Sequence, residues 1–117
     1  DLNNENNLPI FFLLLNMNPL FKKQVYEIIN LIPSGRVSSY GAIAKAVGFP
    51  NHSRQVGNAL RNYAEDFPAH RVCNSSGFIT ASCLEEFKIK LEKEGIKVIE
   101  NKIQNFKNIF WNPLEEL

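Results

Sequence analysis

The sequence predicts a small α/β domain of the winged helix-turn-helix class, and three observations carry that expectation. Two short amphipathic stretches flank a tight turn at Phe49-Pro50-Asn51-His52, the outline of a helix-turn-helix. Two apolar extended runs surround a glycine-containing turn between Val72 and Ile79, the outline of a short β-hairpin wing. A further amphipathic segment and a β-branched run close the domain.

Each element has its own local reason. Phe21, Val25, Ile28, Ile29 and Leu31 recur near helical spacing until Pro33-Ser34-Gly35 stops the run, which predicts a first amphipathic helix. Arg36-Val37 is a short extended link. Ser38 or Ser39 is placed to cap a second helix through Ala42, Ile43, Ala46 and Val47, closed by Gly48. Ser53 is the expected cap of a third helix, on which Val56, Ala59, Leu60 and Tyr63 share a face. Val72-Cys73, the turn Asn74 to Gly77 and Phe78-Ile79 form the predicted wing. Leu84 to Glu94 reads as a last helix with Leu84, Phe87 and Leu91 inward, ended by Gly95. Ile96, Val98 and Ile99 suggest an edge strand, and Ile109-Phe110-Trp111 an apolar patch before Pro113.

With 117 residues, 44% of them hydrophobic, the chain suits one compact domain, of which folding would bury ~60–70% of the surface exposed by the unfolded chain. A second full domain does not fit. The formal net charge of +1 announces no partner, but its distribution says more. No acidic residue lies between Glu27 and Glu65, whereas Arg36, Lys45, Arg54 and Arg61 do. This purely basic stretch is either a phosphate-facing surface or a chance clustering on a solvated face.

Cys73 and Cys83 are too far apart for a Cys-x-x-Cys pair, and two histidines do not complete a zinc pattern, so no metal and no cofactor is expected. A reduced, intracellular protein is the default. The apolar run Pro9 to Leu15 is far shorter than the ~20 residues that span a bilayer, and it lacks the basic leader and cleavage site of a secretory signal. No membrane partner is expected. Met17, the single methionine, directly precedes the first well-patterned helix. It is expected to be the natural start of a domain over residues 17–117, with residues 1–16 an extension; the other reading is a short apolar arm packed on the core.

The segment Pro68-Ala69-His70-Arg71-Val72 carries the sharpest chemical signal. Together with Ser39-Tyr40-Gly41, Ser53-Arg54-Gln55-Val56-Gly57-Asn58-Ala59-Leu60 and Gly77, it resembles in order and approximate spacing the DNA-binding domain of the alkylguanine-DNA alkyltransferases. The resemblance covers roughly Asn18 to Gly95. In those enzymes the second position of the Pro-x-His-Arg-Val motif is a cysteine whose thiolate takes the alkyl group from guanine. Here it is Ala69, whose methyl has no lone pair and cannot be alkylated, so covalent catalysis at this position is closed. The run Leu91 to Gly95 and the later Trp111-Asn112-Pro113 resemble the alkyltransferase-like proteins more than the enzymes. Two departures stand out: Ala69 itself, and a Gly/Ser-rich loop shortened to Thr80-Ala81-Ser82-Cys83.

The resemblance implies roles residue by residue. Arg54 would fill the gap left when a base leaves the stack, and Tyr40 would crowd the phosphate of the rotated nucleotide. Ser53, Gln55, Gly57, Asn58, Ala59 and Arg61 would complete the DNA-binding surface, the small ones keeping the helix thin enough for a minor groove only ~6 Å wide. The alternative for Gly57 and Ala59 is helix packing. Tyr40, Ala69, Val72, Ser76 and Gly77 would line a pocket for the alkylated base. His70 and Glu94 match a relay that would deprotonate the missing thiol, so with Pro68 and Arg71 they form a vestigial motif whose remaining task is structural. Cys73 has no neighbour in sequence that would lower its pKa, which disfavours it as a substitute nucleophile.

Three functions compete. The first is a non-enzymatic sensor that binds double-stranded DNA containing alkylated guanine as a monomer, on the nucleoid, and marks the lesion for nucleotide excision repair proteins. The second is an alkyltransferase domain whose nucleophilic cysteine has been replaced by alanine. The third is a winged-helix transcription regulator, which has no need of the Pro-x-His-Arg-Val element.

Overall fold

The computed structural model describes residues 19–61, 63 and 66–117. The expected extension over residues 1–16 and the expected start at Met17 lie outside the described residues. Three helices form one side of the domain: α1 (Pro19–Asn30), α2 (Tyr40–Ala46) and α3 (Ser53–Ala59). Phe21, Val25 and Ile29 on α1 are buried, as the four-residue spacing requires. Leu31 departs from that stripe and is 54% exposed, while Ile32 is buried in its place. The reason is local: α1 ends at Asn30 and the Ile32 N–H turns back to the Ile29 carbonyl at 3.1 Å.

Of the two candidate caps for α2, Ser39 does the work, its Oγ accepting the Ala42 N–H at 3.1 Å. Gly48 follows the helix at φ +97°, the left-handed turn that glycine adopts without strain. The third helix corrects the expectation. Ser53 is its first residue and His52 occupies the cap position, without a side-chain capping bond. The helix also ends earlier, because the Leu60 N–H is shared between the Val56 and Gly57 carbonyls at 3.2 Å each, a tightened last turn. Tyr63 therefore lies beyond α3, where its ring meets Phe67 at 5.8 Å.

The wing is also relocated. The strand β1 (Ser38–Ser39) pairs in parallel with β2 (Val72–Cys73), in the register Ser38 to Val72 and Ser39 to Cys73. Val72-Cys73 is therefore not one arm of a hairpin with Phe78-Ile79, although Asn74 and Gly77 do turn the chain there. After α4 (Leu84–Lys93) comes the antiparallel hairpin of β3 (Val98–Ile99) and β4 (Lys102–Ile103). Residue 78 bridges to Lys102 of that hairpin instead. Two short helices, α5 (Phe106–Ile109) and α6 (Pro113–Glu116), complete the chain.

The apolar patch Ile109 to Trp111 is tied back to the start of β1. The Val37 N–H donates to the Ile109 carbonyl at 3.1 Å and the Trp111 N–H to the Val37 carbonyl at 2.7 Å. Arg36 clasps the same strand of chain, donating to the Ile109 and Phe110 carbonyls at 3.0 and 2.8 Å and pairing with Glu116 at 2.8 Å. Among the described residues, no helix is long and apolar enough to cross a membrane.

Candidate functional site

Pro68 to Val72 folds as a 3-10 turn over Ala69–Arg71 running into β2. Ala69, buried, lines a cavity. His70 and Arg71 reach Glu94 at the end of α4, and the His70 ring also stands edge-on to Phe87 at 6.4 Å. The His70 Nε2 lies 2.6 Å from Glu94 Oε2, and Arg71 donates from Nε and Nη2 to the same carboxylate at 2.9 to 3.1 Å. Arg71 Nη1 also donates to the Ile32 carbonyl at 2.9 Å, and the Gly35 N–H to Glu94 Oε1 at 2.9 Å. Glu94 thereby joins the end of α1, the 3-10 turn and α4.

The electrostatics follow from these contacts. Burial alone would raise the Glu94 pKa, but the hydrogen bonds from Arg71, Gly35 and His70 outweigh it and hold the carboxyl at about 2. Burial lowers the His70 pKa, only partly offset by Glu94, so the ring is neutral at pH 7. A neutral ring donating from Nε2 to the carboxylate leaves Nδ1 a bare acceptor, and that atom is buried without a hydrogen-bond partner.

The cavity measures about 990 Å³. Its buried part is made by Ala69 and Phe87, with Leu60, Tyr63 and Tyr40 half-buried around them. One edge is α3, contributing Ser53, Arg54, Gly57 and Asn58, with Arg61 just beyond. The opposite wall is the short segment Thr80 to Cys83. Tyr40 and Thr80 both line the cavity, and burial raises the Tyr40 pKa, the nearby Thr80 side chain offsetting part of the rise. Arg54 and Arg61 are exposed at the edge.

The fold thus brings Tyr40, Ser53, Arg54, Gly57, Asn58, Arg61 and Ala69 to one cavity, and it separates the others. Gln55 does not line it. Ala59 packs on the core, and its carbonyl accepts the Tyr26 hydroxyl at 2.8 Å. Val72 is buried in β2, paired with Ser38. Ser76 is exposed on the turn, and Gly77 sits at φ +87° with Phe106 Cγ only 3.0 Å from where a Cβ would stand. Of the residues expected in the pocket, Val72, Ser76 and Gly77 do not line this cavity, which also takes in Leu60, Tyr63, Thr80, Ala81, Ser82, Cys83 and Phe87. The departure at Thr80 to Cys83 was the one sequence signal that pointed to this wall.

Gly57 answers the question of helix packing. A methyl added there would meet Tyr40 Cε1 at 4.0 Å, an ordinary contact, so the fold does not need glycine at this position. The two thiols differ in place. Cys73 is fully buried, donates to the Ser38 carbonyl at 3.4 Å, and is pushed up to about 12 by burial. Cys83 is half-buried in the cavity wall.

Comparison with known proteins gives a consistent result. Residues 20–96 match the family model described as 6-O-methylguanine DNA methyltransferase, DNA binding domain. The chain is 42% identical over 97 residues to a DNA base-flipping protein of Vibrio parahaemolyticus, covering 80% of this chain and 97% of that one. It is 35% identical over 103 residues to alkyltransferase-like protein 1 of Schizosaccharomyces pombe, covering 80% of this chain and 95% of that one. The crystal structure of S. pombe Atl1 in complex with damaged DNA containing O6-carboxymethylguanine matches with a TM-score of 0.71 at 34% identity, over 79% of this chain and 94% of that chain. A Mycobacterium tuberculosis O6-methylguanine methyltransferase matches with a TM-score of 0.57 at 35% identity, over 63% of this chain but 47% of that one.

Proposed function

This chain belongs to the family of the 6-O-methylguanine DNA methyltransferase DNA-binding domain, and within it we propose a binder of DNA carrying alkylated guanine that rotates the damaged base into the cavity and transfers nothing. The observation that carries this reading is Ala69: a methyl in the cavity wall, beside an intact His70–Glu94 pair that has no thiol to act on. Cys73 cannot stand in for it, being buried and protonated.

The work of such a protein is to pay for opening a base pair, a few kcal/mol that is least for a damaged pair. Arg54, exposed at the cavity edge, has the length to enter the stack behind the departing base. Tyr40, on α2 beside it, would crowd the backbone of the rotated nucleotide. Gly57 keeps α3 thin where it would lie in the minor groove. A cavity of about 990 Å³ lies at the upper end of small-molecule pockets, ~300–1,000 Å³, which leaves room for a purine with an alkyl extension. A lesion held but not repaired needs a second activity to remove it. The partners this assigns are nucleotide excision repair proteins, recruited on the nucleoid by a monomer of this chain.

The retained His70–Glu94 pair favours one other reading, an alkyltransferase whose nucleophile has been replaced. A regulator of transcription would use neither that pair nor the cavity. The test is binding to paired duplexes with and without an O6-alkylguanine across salt concentrations, with mass spectrometry of the protein from the same sample. Tighter binding to the alkylated duplex, weakening with salt through counterion release, and an unchanged protein mass are expected. Equal affinity for the two duplexes overturns the sensor reading, and an added alkyl mass overturns the non-enzymatic one.

A further inference from the structure

The cavity wall Thr80 to Cys83 is held at its ends. Among the described residues, no backbone N–H of Thr80, Ala81 or Ser82 donates to a backbone carbonyl. At one end the Cys83 carbonyl accepts the Phe87 N–H at 3.1 Å, on a helix whose Phe87 and Leu91 are rooted in the core. At the other end residues 77–79 lie along the β3–β4 hairpin, joined to it by an antiparallel bridge between Phe78 and Lys102. The Ile79 N–H donates to the Asn101 carbonyl at 2.8 Å and the Ile103 N–H to the Gly77 carbonyl at 2.9 Å. Phe78 stands opposite Lys102, whose Nζ sits 5.3 Å from the centre of the Phe78 ring.

We propose that the β3–β4 hairpin is the positioning element of this wall, and that Lys102, which does not line the cavity, sets how well the cavity holds a rotated base. This rests on the base-binding reading above. A three-residue span between two anchors takes its position from them, and here the α4 anchor is a packed core helix. The hairpin anchor has a core part, Ile79, Val98 and Ile103 being buried, and an exposed part, the Lys102 cation held over the Phe78 ring, which is the part a substitution can alter without opening the core. Its position passes to Thr80, the next residue after Ile79, which lines the same cavity as Tyr40, the residue that would turn the nucleotide. The hairpin also carries a local cost. Glu100, in its turn, sits at φ +58°, a region that disfavours a residue with a Cβ.

The experiment uses the full chain and three variants: Lys102→Ala, Lys102→Arg and Glu100→Gly. The quantity read is the ratio of affinities for an O6-methylguanine duplex and its unmodified counterpart, with the salt slope of each and amide hydrogen exchange at Ile79 and Ile103. Lys102→Ala is expected to lower the ratio about two- to fivefold, the worth of an exposed cation–ring contact, with the salt slope unchanged. Lys102→Arg keeps a cation over the ring and restores the ratio. Glu100→Gly, which relieves the turn, raises it. Because coupling is reciprocal, the alkylated duplex should slow exchange at Ile79 and Ile103 more than the unmodified one does. A Lys102→Ala loss that is equal for both duplexes and comes with a shallower salt slope identifies a phosphate contact and overturns the proposal. A ratio unmoved by all three variants overturns it alone, whereas an unaltered chain with no preference for the alkylated duplex overturns the functional reading beneath it.

Discussion

His70 and Glu94 meet at 2.6 Å although they lie 24 positions apart in the chain, and His70 directly follows the Ala69 that lines the cavity. The same carboxylate accepts from Arg71 and from the Gly35 N–H.

That contact predicts acid sensitivity. The folded-state pKa of Glu94, about 2 against an ordinary 4.5, means that its contribution to stability is present above pH 4.5 and is lost as pH falls from there toward 2. His70, lowered from 6.5 by burial, acts with the same sign, because below that pH the unfolded chain takes up the proton first. Thermal melting of the unaltered protein should therefore fall with acid, while Glu94→Gln melts lower at pH 7, by about 2–3 kcal/mol, and falls less steeply below pH 4.5. Parallel pH profiles for the two proteins would show that Glu94 does not carry the effect.

Ala69→Cys restores a thiol beside the relay. Displacement of an alkyl group demands a near-attack alignment, and the wall opposite carries Thr80, Ser82 and Cys83 rather than a glycine-rich backbone. The expected result with an O6-methylguanine duplex is slow, substoichiometric labelling. Rapid, complete addition of one methyl mass would identify the chain as an alkyltransferase lacking its nucleophile.

Arg54 and Lys45 are both exposed, but only Arg54 lines the cavity. Arg54→Ala should weaken binding of an alkylated duplex by about tenfold or more, since it removes support for the opened pair. Lys45→Ala should cost about twofold or less, the loss of one screened contact. A fluorescent base beside the lesion should unstack less with Arg54→Ala; unchanged unstacking would remove the wedge role.

Gly57→Ala separates binding from folding. The position is helical with space for a methyl, so the variant should be more stable, by about 0.5–1 kcal/mol. If α3 enters the minor groove by this face, the same variant binds duplex less tightly. A more stable protein with unchanged affinity would take Gly57 out of the interface.

Cys83 offers a direct view of occupancy. With Cys73 fully buried, a thiol reagent should label Cys83 first, and an alkylated duplex should slow that labelling several-fold more than an unmodified one. Equal protection by both duplexes would place the rotated base outside this cavity.

The features legible in the sequence are those governed by neighbours in the chain. The four-residue spacing of Phe21, Val25 and Ile29 dictates the buried face of α1 because helical periodicity is local. Ser39 caps its helix, and Gly48 and Gly95 end theirs at positive φ, because capping and left-handed turns involve only a few residues. The motif around Ala69 marked the family by residue type and order alone. Tertiary structure decided what depends on distant partners. Val72-Cys73 pairs with Ser38-Ser39 rather than with Ile79, since a two-residue strand has no intrinsic preference between them. The cavity beside Ala69 is lined by Thr80 to Cys83 and Phe87 and not by Val72, Ser76 or Gly77: β2 buries Val72, and Phe106 packs against Gly77. Which side chains meet across the cavity is set by the packing of α2 on α3 and of α4 on the 3-10 turn, and that packing is a sum over contacts between residues far apart in the chain.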